Sequence, residues 1–422
     1  MPSVLDALLP SRLGRPFRWL LAASWTTSLG DGVASAAGPL LLASLTHNAF
    51  LVSLAAAVRW APPLVFGLYA GVLSDRHHRR RIMISADTAR VLILGVLTVG
   101  FVTKSVTVVT ALAALGLLST AEVFSDNAAA TLAPMLVHRD DLAIANARLQ
   151  TGFITLNQLA GPPIGAALFT IARIWPFLTE GVLVTAGILL IFRVTLPVHG
   201  GPSTDVRRGI RHDIAEAFRW TISNPAVRTL SLTILIFNIT FGAAWSVLVL
   251  YVHERLGLGA IGYGLLTTVS AVGGLFGTTL YGWITRRVSL GNVMRIGLIL
   301  ETFTHLGLAV TTSPWIAGGI LFVFGVHAFI WGTTSVTVRQ RAVPTHLQGR
   351  VNSLNTISVF GGLVVGSAIG GTLANRFSVT TPFWFAFIGS AVFVVLLWRE
   401  MTRIAHADPL PKEVEELVGS EG

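Results

Sequence analysis

Gly71-Val72-Leu73-Ser74-Asp75-Arg76-His77-His78-Arg79-Arg80-Arg81 sets one carboxylate in a dense basic stretch between two long apolar runs. It reads as a short cytoplasmic hinge between membrane helices. Gly71 lets the end of one helix approach a neighbour closely. Asp75 offers an anion to an opposing helix N-terminus. Arg76, Arg79, Arg80 and Arg81 hold the turn at the cytoplasmic face. The positive-inside rule alone explains the arginines but not Gly71 and Asp75 beside them, so the stretch is expected to act as a gating latch.

The chain around it has 422 residues, 53% hydrophobic and 12% charged, where a soluble domain carries about 25% charged residues. A mean hydropathy of +0.71 makes it a polytopic helical membrane protein. The net charge of +10 lies in short loops, which fits membrane topology better than a nucleic-acid partner. The sequence has no cysteine, which excludes disulfides and thiolate metal sites. The first apolar stretch exceeds a signal-peptide core and lacks a small-residue cleavage site, so it is expected to stay in place.

Each crossing needs about 20 apolar residues. Twelve runs qualify, near 17–44, 50–73, 82–103, 106–137, 143–172, 174–196, 228–252, 260–284, 290–311, 314–338, 346–375 and 380–399. Of 30 Lys and Arg, only Lys104, Arg173, Arg255 and Arg376 fall in the alternate loops, and Arg59 and Arg90 lie within helices. The rest mark the cytoplasmic side, so both termini are expected there. The break between the sixth and seventh runs divides the chain into residues 1–196, a linker at 197–227, residues 228–400 and an acidic tail at 401–422. Within the linker Ile210, Ile214, Phe218 and Ile222 recur at helical spacing among charges, as in an amphipathic helix on the membrane interface.

An internal repeat supports two halves. Leu149, Thr151, Gly161, Ile164, Gly165 and Leu168 match Leu354, Thr356, Gly366, Ile369, Gly370 and Leu373 without gaps. A weaker copy of the opening stretch aligns Gly282 with Gly71 and Met294 with Met83, and has lost the carboxylate. The fold expected is therefore an all-α membrane protein of twelve transmembrane helices in two six-helix bundles.

The opening stretch resembles the signature between helices 2 and 3 of the major facilitator superfamily, Gly-x-Leu-Ala-Asp-Arg-x-Gly-Arg-Arg, at eight of ten positions; Ser74 and His78 depart from it. With Asp87-Thr88-Ala89-Arg90 in the following run, it is similar to the branch holding macrolide-efflux proteins and the enterobactin exporter. Gly152 and Gly161-Pro162-Pro163-Ile164-Gly165-Ala166 resemble the superfamily's antiporter motif, with Ala166 for the last Gly and Asn157 for an upstream one. Helix 4 lacks the embedded arginine of another exporter motif. The resemblance implies efflux and a cavity lined by helices 1, 4, 7 and 10, which would put Asp31 opposite Glu122.

Asp31 lies about 20 Å from either end of its run at 1.5 Å per residue. A carboxylate there costs about 2.5–3.5 kcal/mol and needs a cavity or partner. It is a candidate proton or cation-substrate site, with a structural helix–helix hydrogen bond as the alternative. Glu122 and Asp126 share a helix face and are proton-coupling candidates; Asp126 also suits a charge network with Arg90, Arg139 or Arg148. Arg59 is placed to reach Asp31 or an anionic ligand, unless it snorkels or pairs structurally. Asp87 and Arg90 share a face near the basic stretch and join the latch, or form an ion pair. Asn238, Phe241, Trp245, His327 and Trp331 are candidates for a cavity wall facing a lipophilic substrate, or for packing. Glu301 and His305 look like a structural pair.

No His-Glu-x-x-His or Gly-x-Ser-x-Gly motif occurs, which argues against an intramembrane enzyme. The expectation is a monomeric transporter of the inner or plasma membrane, contacting lipids but no nucleic acid, with no cofactor or metal. It would export a hydrophobic or amphipathic small molecule (a drug, antibiotic or siderophore) against protons. An uptake permease, a lysophospholipid flippase and a transport-dead sensor are the alternatives.

Overall fold

A computed structural model describes residues 11–195, 218–344 and 347–400, with Ser11, Asp75, Arg76, Gly349 and Arg350 described by backbone alone. Among them there is no strand. The helices are Gly14–Leu45 (α1), Ala49–Arg76 (α2), Arg79–Val102 (α3), Val108–Leu136 (α4), Trp175–Ile191 (α6), Ala260–Thr285 (α8), Leu290–Val310 (α9), Pro314–Ala342 (α10), Gln348–Arg376 (α11) and Thr381–Leu397 (α12). α5 joins Leu142–Gly152, a π-helical Phe153–Ala160 and Gly161–Ile171, and α7 joins Pro225–Trp245 to Leu248–Glu254. Each falls within a few residues of an apolar run in the sequence.

Local chemistry sets the ends. Asn48 accepts from the Leu51 amide at 3.2 Å to start α2, and Thr107 and Thr110 form a reciprocal capping box at α4. Pro314 opens α10 and Pro382 lies in the first turn of α12, where a missing N–H costs no helical bond. Exposed side chains such as Val96, Val109, Val182 and Val395 stay apolar, as lipid-facing positions require.

The opening stretch is tighter than a loop. α2 runs to Arg76 and α3 begins at Arg79, so His77 and His78 alone join them. Arg80 donates to the Phe192 carbonyl at 2.7 Å and lies over its ring at 5.8 Å, which ties the start of α3 to the end of α6. Arg295 does the same in α9, donating to the Trp398 carbonyl at 2.8 Å and stacking at 4.8 Å. The expected linker helix falls mainly on residues 196–217, outside the described residues; 218–223 are helical. The tail at 401–422 also lies outside them.

The chain forms two compact units, residues 1–205 with 246–268, and residues 206–245 with 269–422. In the first, α1 packs on α5 and α6, and α3 on α4 and α6. In the second, α7 packs on α11 and α12, and α9 on α10 and α12, so the same pairings recur. The repeated glycines do the same work in both. A Cβ on Gly161 or Gly165 would overlap the α1 backbone at Gly32 or Val33, and one on Gly366 or Gly370 would overlap α7 at Ile239 or Ala243. Met83 and Met294 are both buried core residues.

Gly71 corrects its expected role. A Cβ there would meet no described atom within 4 Å, and the same holds at Gly282. Gly71→Ala should therefore leave thermal stability in detergent unchanged or slightly raised, since Ala exceeds Gly by about 1 kcal/mol in a helix. Gly165→Val should lower it by about 1–3 kcal/mol through overpacking. Equal melting temperatures for the two variants would contradict the α1–α5 seam.

Candidate functional site: a buried arginine among carboxylates

The first unit gathers several of its membrane-interior charges around Arg90 of α3, whose side chain is 3% exposed. Its guanidinium pairs with Asp31 of α1, with Glu180 of α6 at 3.1 Å and with Asp87, one turn back on α3, at 3.5 Å. Arginine cannot shed its charge, so burial obliges it to find acceptors. With one guanidinium against three carboxyls, the cluster is electrically neutral only when two of the carboxyls hold protons.

Small residues bring these helices together. Gly30 lies against Glu180, where a Cβ would meet its Cγ at 3.5 Å. Gly32, on the other side of Asp31, lies against the Asn157 backbone in the π-helical part of α5. Gly152 sits under the Trp25 ring, and the Trp25 indole donates to the Arg148 carbonyl at 3.1 Å. Gly152, Gly161 and Gly165 thus form the α5 surface that receives α1 around Asp31, while the Pro162 carbonyl faces Gly264 of α8 in the same unit.

A second pair stands nearby in the sequence of α2 and α4. Arg59 donates to both carboxylate oxygens of Glu122, at 3.3 and 3.4 Å. The reach of Arg59 toward Asp31 is therefore replaced by a pair with Glu122, and Asp31 takes Arg90 instead. Ser119 fixes the Arg59 carbonyl at 2.8 Å. Asp126 is exposed, and no described side chain pairs with it. It forms no ion pair with Arg90, Arg139 or Arg148; Arg90 pairs with Asp31, Asp87 and Glu180 instead.

The latch residues separate. Asp87 and Arg90 are buried in the network, Arg80 ties α3 to α6, and Arg79 lies at the first turn of α3. The side chains of Asp75 and Arg76 lie outside the description.

In the second unit Phe241 stacks on Trp245 at 4.9 Å and on Phe324 at 5.6 Å, and the His327 ring meets Phe324 edge-on at 5.3 Å. Trp331 lies one turn beyond His327, while the Asn238 amide turns back to the Ile234 carbonyl at 2.7 Å. Glu301 and His305 form no ion pair with each other, contrary to their expected pairing; both His305 nitrogens lack partners among the described residues. No described cluster of three His, Cys, Asp or Glu is arranged to hold a metal.

Glu180 was missed by reasoning from sequence. Its signal was present, a lone carboxylate inside Trp175–Ile191, and the cost that singled out Asp31 applies equally to it.

The profile of a family described as transmembrane secretion effector matches residues 8–416. The enterobactin exporter EntS of Citrobacter koseri is 25% identical over 414 residues, covering 94% of this chain and 94% of the relative. That of Salmonella typhimurium is 25% identical over 412 residues, covering 93% and 95%. A bacterial homologue of the iron transporter ferroportin, solved inward-facing, aligns with a TM-score of 0.71 at 16% identity over 93% of this chain and 99% of that one. The nucleoside transporter NupG aligns with a TM-score of 0.73 at 12% identity over 92% and 100%. At such identities the structural likeness speaks for the fold alone.

Arg90→Met should cost about 3–5 kcal/mol, the penalty for leaving buried carboxylates without their cation. Adding Asp31→Asn and Glu180→Gln should recover part of it. Thermal unfolding in detergent checks both, and a wild-type melting temperature for Arg90→Met would show that the network carries no stability.

Proposed function

We propose, because the chain belongs to the transmembrane secretion effector family, in the enterobactin-exporter branch of the major facilitator superfamily, that it exports a small amphipathic molecule against protons. It is a multi-pass membrane transporter rather than an enzyme, and its fold is the all-α fold of that superfamily. Efflux is supported by what the relatives are named for. The relatives' bacterial sources favour the inner membrane, and the basic loops favour cytoplasmic termini.

The observation that supports proton coupling is the charge arithmetic at Arg90. Asp31, Asp87 and Glu180 share one guanidinium, so taking up or releasing a proton changes the net charge of a site that water barely reaches. In this reading Asp31 is the coupling carboxyl, since it alone brings α1 to Arg90. Arg59–Glu122 and the exposed Asp126 supply a second set of charges on α2 and α4. The proton gradient is the energy source, and no cofactor is needed. The stacked Phe241, Trp245 and Phe324 give a flat aromatic surface suited to a hydrophobic or amphipathic substrate of drug, antibiotic or siderophore type.

Proteoliposomes holding the purified chain test this with a panel of catechol siderophores, macrolides and dyes under an imposed pH gradient. One panel member should move against the gradient, with protons moving oppositely. Asp31→Asn should slow gradient-driven flux by about tenfold or more, equivalent to about 1.4 kcal/mol, while keeping substrate exchange without a gradient. Wild-type coupling in Asp31→Asn would remove Asp31 from the mechanism. Flux directed only inward would replace export by uptake.

A further inference from the structure

Between Pro225 and Leu397 only Glu254 and Glu301 are acidic, and Glu254 belongs to the first unit. Glu301 is thus the lone carboxyl in the helices of the second unit, halfway along α9. No described side chain donates to it or pairs with it. His305 follows one turn later, 2% exposed, and His327 of α10 is 5% exposed. All four imidazole nitrogens, and the indole nitrogen of Trp331, lack hydrogen-bond partners among the described residues. The two imidazoles are close enough to influence each other electrostatically. Gly297 brings the α10 side chains onto α9, since a Cβ there would stand 2.7 Å from Trp331 Cδ1 and 3.5 Å from His327 Nδ1.

Among the described residues no fixed cation balances Glu301. α9 packs on α10 and α12. α12 carries no ionisable side chain. On α10 the other charges are Arg339 and Arg341 in its last turn, and Arg339 donates to Asn352 at 3.3 Å. On α9 itself Arg295 is turned to the Trp398 carbonyl.

A mid-helix carboxylate costs about 2.5–3.5 kcal/mol, and each buried unpartnered polar group costs about 1–3 kcal/mol. Such groups stand together where they are used. The repeat strengthens this. The register that pairs Gly71 with Gly282 and Met83 with Met294 pairs Arg90 with Glu301, so the charged centre of α3 has its counterpart in α9 with opposite sign.

We propose that Glu301, His305 and His327 form a proton-binding site inside the second unit, additional to the Arg90 network. With one proton on the carboxyl and both imidazoles neutral, the site is neutral. Removing that proton leaves a single negative charge, and adding another leaves a positive one. One proton therefore sets its charge. That this proton serves transport rests on the exporter reading; its binding does not.

Two spectroscopic tests on the purified full chain decide binding. Infrared difference spectra over a full acid-to-alkaline titration should show a protonated-carboxyl band that Glu301→Gln removes. Trp331 emission, taken as wild type minus Trp331→Phe, should be quenched at low pH by the imidazolium beside it, and His327→Asn should abolish the quenching. Identical infrared titrations in wild type and Glu301→Gln, with flat Trp331 emission, would overturn the site.

Flux decides use. The pH profile of efflux should flatten in Glu301→Gln and return in Glu301→Asp, a split that a packing role would not produce. Wild-type flux indifferent to the gradient would overturn the coupling reading while the spectra still judge the site.

Discussion

The first unit depends on the need to neutralise one guanidinium inside a membrane. Arg90 keeps its charge at any accessible pH, and burial at 3% exposure removes water as a partner. The nearest acceptors come from three positions, Asp31, Asp87 and Glu180, so α1, α3 and α6 are fixed in rotation about their own axes as well as in position. Turning α1 by one residue would carry Asp31 away from Arg90 and would drive Gly32 out of a gap against the Asn157 backbone that fits only a hydrogen atom. Charge pairing and glycine packing therefore specify the same arrangement, and that agreement narrows the alternatives more than either does alone.

The two units share a packing scheme but not a chemistry. Helix pairings, glycine seams and arginine anchors recur, from Gly161 and Gly165 to Gly366 and Gly370, and from Arg80 to Arg295. Packing within a bilayer rewards small residues that let backbones meet, and does so wherever the pairing recurs. Ionisable groups obey a different rule, because each must earn a partner. The first unit meets that rule with a cation amid carboxylates, and the second leaves its carboxyl, its two buried imidazoles and an indole without described partners.

The helices were legible in the sequence because a bilayer demands long uninterrupted apolar runs, and the observed bounds follow them closely. The ionisable residues were legible one at a time, since each is costly wherever it sits. Their partners were not. Asp31 and Arg90 are 59 positions apart and Arg90 and Glu180 are 90 apart, so their meeting depends on how α1, α3 and α6 pack. Nothing in local spacing separates Arg59–Glu122 from Arg59–Asp31. Gly71 shows the reverse limit: a motif glycine suggests close approach, yet only coordinates reveal that no described atom stands against it.

The antiporter-like stretch of α5 shows how a sequence departure from the repeat becomes a structural one. Gly161 and Gly165 match Gly366 and Gly370, but Pro162 and Pro163 have no counterpart in α11, where Ser367 and Ala368 keep their amides and the helix runs unbroken. Each proline deletes a donor to the carbonyl four residues earlier. Pro163 releases Leu159, and Thr268 of the same unit donates its hydroxyl to that carbonyl at 3.2 Å. The turn before the prolines widens to a π-helix, in which the Gly161 amide reaches Leu156. That widening swings the Asn157 backbone against Gly32, next to Asp31. The proline pair thus exchanges ordinary helical bonds for a shaped surface beside Asp31, and the absence of prolines in α11 explains why α7 is met by a plain glycine seam.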